Sequence, residues 1–318
     1  MKTVNFPYGD KSYASTLIYG QDNRVSLKGM PDKSVQCVVT SPPYWGLRDY
    51  GVEGQLGMED TPDQFVANLV EVFREVRRVL RDDGTLWLNL GDSYASQSSG
   101  LPMGIKHKDL VGIPWMTAFA LRADGWYLRQ DIIWAKKHTM PESVEDRCTK
   151  SHEYLFLLSK SPDYYFDHEA IKEPSTTYTA SVTINPEDNK GNIKGNMSEK
   201  GVTRTTEGLK HRQSNNPMRN KRSVWVVGPA PYRGSHFATF PPKLIEPCIL
   251  AGSRIGDTVM DPFSGSGTTG YVSNRNQRNY VGLDVNEKYL PLAEARILGR
   301  DPPGDEDDDT SSSVLDLF

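Results

Sequence analysis

The chain has 318 residues, 37% hydrophobic and 25% charged, which is ordinary globular composition and enough for one α/β domain with a substantial insertion. No apolar run approaches bilayer-spanning length, Met1 to Asp10 lacks the layout of a secretion signal, and Cys37, Cys148 and Cys248 form no C-x-x-C pair. These features argue against a membrane span, export, a disulfide framework or a structural zinc site, and a cytoplasmic protein without a metal is expected. The net charge of −4 hides an asymmetry. Residues 301–318 hold seven acids and no base, which leaves 34 acids against 37 bases, or about +3, for the rest. A basic body suits a polyanionic partner; a merely solvated surface is the plainer alternative.

In chain order, Val35 to Thr40 is a β-branched apolar run that predicts a buried strand, stopping at Ser41-Pro42-Pro43-Tyr44-Trp45. Two prolines fix the backbone and leave the carbonyls of Ser41 and Pro42 without competing local donors. A fixed carbonyl and the Ser41 hydroxyl can accept both protons of a planar amino group, and Tyr44 offers a face for an extruded base. Taken alone, the segment reads equally as a proline turn closing a strand.

A helix follows, with Thr61 as N-cap, Pro62 at the first helical position and Gln64 completing a capping box. Phe65, Leu69, Val72, Phe73, Val76 and Leu80 form its apolar stripe, and Gly84 is expected to stop it. Thr85 to Leu90 reads as a second buried strand, ending at Gly91-Asp92-Ser93-Tyr94, so the order strand, helix, strand marks a βαβ unit. Trp126 and Trp134 alternate with apolar neighbours and, like Cys37 and Cys248, read as core. His152 and His236 stand singly, so no metal is implied.

Residues 173–223 differ in texture, rich in Thr, Asn, Lys, Gly and Arg, and read as an insertion of loops and short elements. Its end is basic, with Lys200, Arg204, Lys210, Arg212, Arg219, Lys221 and Arg222 against Glu207 alone. The parallel pattern then returns. A strand over Asp257 to Met260 enters Asp261-Pro262-Phe263-Ser264-Gly265-Ser266-Gly267-Thr268, a glycine-rich turn before a helix, and a strand over Tyr280 to Leu283 ends at Asp284. Such a turn lets a ligand approach backbone closely, and an acid ending the next strand can take both hydroxyls of a ribose. A last helix is expected across 286–298, then a disordered acidic tail.

Together the two motifs resemble the amino-directed DNA methyltransferases, which make N6-methyladenine or N4-methylcytosine, and the resemblance covers most of the chain. The catalytic motif precedes the cofactor motif, the permuted order of the β class; protein glutamine methyltransferases, which share Pro-Pro-Tyr, have the reverse order. The resemblance implies a Rossmann-like S-adenosylmethionine-dependent methyltransferase fold with a mostly parallel sheet. Its parts would be a catalytic half at 1–138, a target-recognition insertion at 139–227, a cofactor-binding half at 228–300 and the tail at 301–318. It implies that Ser41, Pro42, Pro43 and Tyr44 are catalytic, the base nitrogen attacking directly without a covalent enzyme intermediate. Asn89 or Asp92 would support Ser41, or simply cap the next segment.

The cofactor S-adenosyl-L-methionine would meet Asp22, Asp261, Phe263, Gly265, Ser266, Gly267, Thr268 and Asp284, with Thr239 and Phe240 closing its methionine end. Duplex DNA would meet Trp45, Arg48, Arg204, Lys210, Arg212, Arg219, Lys221 and Arg222, although Trp45 and Arg48 equally fit a salt-bridged turn. Ser41, where adenine enzymes usually carry Asp or Asn, is similar to the cytosine-N4 branch, with adenine-N6 the alternative. A non-catalytic DNA-binding regulator and an RNA or small-molecule methyltransferase are the readings from other classes. Further partners implied are a restriction endonuclease and a second copy of the chain. Val314-Leu315-Asp316-Leu317-Phe318 resembles sliding-clamp peptides, without their leading Gln, or stands by chance.

Overall fold

The computed structural model describes residues 1–47, 49, 51–52, 54–95, 104–139, 141–175, 217–228 and 240–300. The chain opens with a hairpin, β1 (Lys2–Tyr8) and β2 (Lys11–Tyr19), turning at Gly9. On β2 the buried positions are Tyr13, Ser15, Leu17 and Tyr19, the alternation of a strand with one face inward. Helix α1 (Asn23–Lys28) is capped by the Asp22 carboxylate, which accepts from the Arg24 backbone N–H. Strand β3 (Val35–Thr40) is buried at every position, as its apolar run predicts.

Helix α2 (Pro62–Val79) begins where its cap predicts, with Thr61 Oγ1 accepting from Gln64 N at 3.2 Å. Phe65, Leu69, Val72, Phe73 and Val76 form the stripe that enters the main core. The helix stops earlier than expected. Leu80 is the first residue of β4 (Leu80–Leu90) and pairs with Val35 of β3. Gly84 therefore lies within a strand instead of ending a helix. A Cβ there would lie 2.5 Å from Leu80 Cγ and 2.9 Å from the Gln36 carbonyl, so the residue permits a close strand approach.

Helix α3 (Ile113–Ala123) leads to β5 (Tyr127–Lys136) and β6 (His152–Ser159). The short β7 (Glu173–Pro174) and β8 (Met218–Arg219) come next, then β9 (Val224–Val227) and α4 (Pro242–Gly252). The chain continues through β10 (Thr258–Asp261), α5 (Thr268–Arg275) and β11 (Asn279–Asp284), ending its described part with a 3-10 turn (Glu287–Tyr289) and α6 (Leu290–Leu298).

The main sheet runs β1-β2-β11-β10-β3-β4-β6-β5-β9. From β2 to β4 its five strands are mutually parallel; β1 and β6 run against their neighbours. The chain leaves β3 through α2 towards β4 and leaves β10 through α5 towards β11, in opposite directions along the sheet. Between β10 and β3 the strand order thus reverses, and a crevice opens beyond the carboxyl ends of these two strands.

Two compact units are present, Met1–Ala170 with Arg222–Phe318, and Ile171–Lys221. Within the second, β7 and β8 pair antiparallel and Arg219 Nε meets Glu173 Oε1 at 2.9 Å. The span 139–227 expected as an insertion includes β6 and β9, both strands of the main sheet. The reason is the apolar run Leu155 to Leu158, which is buried between β4 and β5. Among the described residues no helix is long and apolar enough to cross a membrane.

Phe73 is fully buried where α2 lies on the sheet. Phe73→Ala should lower unfolding stability by about 3–5 kcal/mol in denaturant titration. A loss under about 1 kcal/mol would show that α2 does not anchor this side of the core.

Candidate active site

A cavity of about 330 Å³ occupies the crevice. Its walls bring together Ser41, Pro42, Pro43 and Tyr44 from the loop after β3, and Asp261, Phe263, Gly265, Ser266 and Thr268 from the loop after β10. Asp284 at the end of β11, Asp22 before α1 and Phe240 before α4 also line it. Segments distant in sequence converge because each follows the carboxyl end of a parallel strand or abuts one.

Asp261 ties the two loops. Its Oδ1 accepts from Thr40 Oγ1 at 2.6 Å and from Phe263 N at 3.0 Å, and its Oδ2 accepts from Thr269 Oγ1 at 2.8 Å. Burial pushes this carboxyl up to about 6, against the three donors that favour its ionised form. With both oxygens engaged, Asp261 acts within the protein as a strut, although it borders the cavity.

Asp284 is held differently. Oδ2 accepts from Gly265 N at 2.7 Å and Oδ1 from Asn286 N at 2.9 Å, one donor on each oxygen. Each oxygen keeps a lone pair for a further donor. Burial raises this acid to about 6 as well. The glycine loop is braced from below by two buried tyrosines. The Tyr19 hydroxyl lies within hydrogen-bond distance of both Ser264 Oγ and the Gly265 carbonyl, and Tyr280 hydrogen-bonds Ser264.

Gly267 does not line the cavity. At φ +77° it caps α5, and a Cβ would stand 3.0 Å from Ala293 of α6, so its smallness serves helix packing. Asp22 lines the cavity but spends both oxygens on Arg24, whose hydrogen bonds hold its carboxyl below the usual range. Beside it, Asn23 donates to the Pro262 carbonyl while its buried Oδ1 has no hydrogen-bond partner, an acceptor at the cavity wall.

On the catalytic side, Ser41 Oγ donates to Tyr44 OH at 3.5 Å, and Tyr44 OH donates to Glu153 Oε2 at 2.6 Å. Asn89 places its amide on the same Glu153 oxygen at 3.2 Å and on the Tyr154 carbonyl at 3.1 Å. Lys136 pairs with Glu153 Oε1 at 2.6 Å, its ammonium 5.1 Å from the centre of the Trp134 ring. Gly91 makes room for Tyr44, since a Cβ there would fall 2.5 Å from its ring. Asp92 faces away from this cluster. Its Oδ1 accepts from Gly112 N and Ile113 N, so it caps the start of α3. Of the two residues expected to back Ser41, Asn89 lines the cavity and contacts Tyr44 and Glu153, while Asp92 caps α3.

Trp45, expected against DNA, is buried in the main core with Nε1 donating to the Glu59 carbonyl at 2.8 Å. Its bulk and its satisfied N–H make it part of the scaffold under the loop. Trp126 and Trp134 are buried as expected, though Trp134 also reaches the cavity wall. Arg219 is paired with Glu173, and Arg222 is exposed beside β9. Arg48, Arg204, Lys210, Arg212, Thr239, His236 and the 314–318 peptide lie outside the described residues.

Sequence reasoning missed Glu153 and Lys136. The signal was present: Glu153 is a lone acid at the head of an otherwise apolar strand, and buried charge in such a run needs a partner. The hairpin of β1 and β2 was also missed, although the β2 alternation carries it.

The model of the N6/N4 DNA methylase family matches residues 35–295. The chain belongs to this DNA methylase family. It is 45% identical to the Type II methyltransferase M.Cfr9I of Citrobacter freundii, over 86% of this chain and 85% of that protein. Identity is 46% to M.XycI of Xanthomonas campestris pv. cyanopsidis, over 90% and 88%. Among solved structures, TTHA0409 of Thermus thermophilus in complex with S-adenosyl-L-methionine superposes with TM-score 0.58 at 26% identity, covering 91% of this chain and 95% of that one. The PvuII cytosine-N4-specific DNA methyltransferase shares the fold, at TM-score 0.61 and 19% identity, over 89% and 86%.

The enzyme is an S-adenosyl-L-methionine-dependent DNA methyltransferase. The residues present fit that cofactor. Asp284 keeps two acceptor positions for a vicinal diol, the unpartnered Asn23 Oδ1 suits an exocyclic amine, and the N-terminus of α5 favours a carboxylate.

Because both acids have raised pKa values, the folded state gains by keeping them protonated, and that gain is lost as the pH rises from their usual 3.8 towards about 6. Hydroxyl binding needs the ionised form of Asp284. Cofactor affinity measured by calorimetry should therefore hold between pH 7 and 8 and weaken below pH 6, approaching about tenfold per pH unit for one linked proton. Asp284→Asn should weaken binding at pH 7.5 and flatten this slope. An unchanged slope would assign it elsewhere.

Proposed function

We propose that the enzyme methylates the exocyclic N4 amino group of cytosine at a specific site in duplex DNA, the target base being turned out of the helix into the cavity. The observation that carries this reading is the Ser41 hydroxyl, which lines the cavity and donates inward to Tyr44. Its lone pairs are thereby left to accept a proton from a substrate amine, together with the backbone carbonyl of Ser41 or Pro42. Serine at this position supports cytosine over adenine.

When bound, S-adenosyl-L-methionine supplies an electrophilic methyl group on a sulfonium. Every other part of the reaction falls to the chain. Ser41 and the loop carbonyl hold the amino group with its N–H bonds out of the ring plane, so that the nitrogen lone pair leaves conjugation with the ring and faces the methyl donor. Tyr44, anchored by Glu153 and given room by Gly91, bounds the base site. Extruding a base costs a few kcal/mol of lost stacking and pairing, and stacking within the cavity offsets it.

Basic residues of the 139–227 span, with Lys221 and Arg222 among those described, would neutralise backbone phosphates. The names of the relatives, Type II methyltransferases, support a restriction-modification setting with a cognate endonuclease. The cytoplasm, where chromosomal DNA lies, is the matching location.

Purified enzyme should transfer labelled methyl groups to unmethylated duplex DNA, and nucleoside mass analysis should return N4-methylcytosine. Ser41→Ala should slow transfer by about 10²-fold or more while cofactor affinity stays within about twofold. N6-methyladenine as the product would overturn the base assignment, and an unimpaired Ser41→Ala enzyme would overturn the role of the serine.

A further inference from the structure

We infer that Glu153 is the positioning residue that completes the methyl-transfer site, as the terminus of a one-way proton chain from Ser41 through Tyr44. This rests on the reading of Ser41 given above and extends it to a residue outside the catalytic motif.

The direction of the chain follows from which atoms are able to donate. Glu153 is buried on β6 opposite Trp134 of β5, and Lys136, two residues further on the same face, holds its Oε1 at 2.6 Å. A carboxylate so paired accepts and does not donate. Tyr44 must then give its hydroxyl proton to Glu153 Oε2, at 2.6 Å. The phenol oxygen is left as an acceptor, and Ser41 donates to it across 3.5 Å, the long step of the chain. Asn89 fixes the register, its amide protons going to Glu153 and the Tyr154 carbonyl and its Oδ1 lying 3.3 Å from Tyr44 OH. Both hydroxyls thus point away from the substrate. An opposite polarity would turn the Ser41 proton towards the amine and repel its N–H.

Each transfer leaves one surplus proton. As the N–C bond forms and the C–S electron pair stays on sulfur, the amino nitrogen must lose one hydrogen as H⁺ to end neutral. That proton passes to Ser41 Oγ as the Ser41 proton passes to the Tyr44 oxygen and the Tyr44 proton to Glu153, which ends as the neutral acid. The chain resets when Glu153 releases the proton to solvent and the hydroxyls turn back. The cationic groups near Glu153 are Lys136, in contact, and Lys150, which interacts with it through space; His152 projects from the opposite face of β6, towards Tyr154.

The experiment measures the single-turnover methyl-transfer rate at pH 7.5 on unmethylated duplex DNA for the wild type and for Glu153→Gln, Glu153→Asp, Tyr44→Phe and the Glu153→Gln/Tyr44→Phe pair. Cofactor and DNA affinities are measured alongside. Glu153→Gln should lose about 10²-fold in rate with affinities within about threefold. Glu153→Asp, which keeps the carboxylate, should recover part of the rate. The double variant should be no slower than the slower single one, because both cut the same chain. A Glu153→Gln enzyme with wild-type rate, a Glu153→Asp enzyme no faster than Glu153→Gln, or single losses that multiply, would overturn the inference. Should the Gln variant not fold, a wild-type rate in Tyr44→Phe overturns it equally. Failure of the Ser41 reading is separate, since it appears as Ser41→Ala transferring methyl groups at the wild-type rate.

Discussion

The buried carboxylate of Asp261 is the interaction on which the rest depends. It lies where the strand order reverses, and its three donors come from β3, from its own loop and from α5. Through Thr40 it fixes the end of the strand that delivers Ser41; through Phe263 and Thr269 it fixes the loop and helix of the cofactor side. An acid ionised in such surroundings is costly unless saturated with donors, and the raised pKa of Asp261 reflects that cost. The carboxylate thus couples two loops that meet nowhere in sequence.

The other acids around the cavity show how similar chemistry is given different work by its partners. Asp284 is nearly as deep, yet each oxygen takes one backbone donor and retains capacity for a ligand. Asp22 is consumed by Arg24 and caps a helix. Glu153 is matched by a lysine and receives a phenol. The roles follow from how many acceptor positions the fold leaves open, which no residue type announces.

That difference marks what the sequence disclosed. The strands carrying both motifs were legible, because buried parallel strands read as unbroken apolar runs ending in loops of special residues. The start of α2 was legible from Thr61, Pro62 and Gln64. Its end was not, because Leu80 suits a helical stripe and a strand equally, and only pairing with Val35 decides between them. The cavity residues Ser41, Tyr44, Asp261 and Asp284 were visible as motifs. Glu153 and Lys136 were not, since Glu153 reaches Tyr44 only because β6 pairs with β4, and Lys136 reaches Glu153 only because β5 pairs with β6, contacts that local patterning does not encode. Trp45 was misplaced because an aromatic residue beside a site motif serves as scaffold or as contact with the same local sequence.

A crystal structure of the enzyme with a non-transferring donor analogue and a duplex carrying its methylation site would test the central claim most directly. The account predicts an extruded cytosine whose N4 lies within hydrogen-bond distance of both Ser41 Oγ and the backbone carbonyl of Ser41 or Pro42, with Tyr44 still hydrogen-bonded to Glu153. A target amine held away from Ser41, or an extruded adenine, would contradict it.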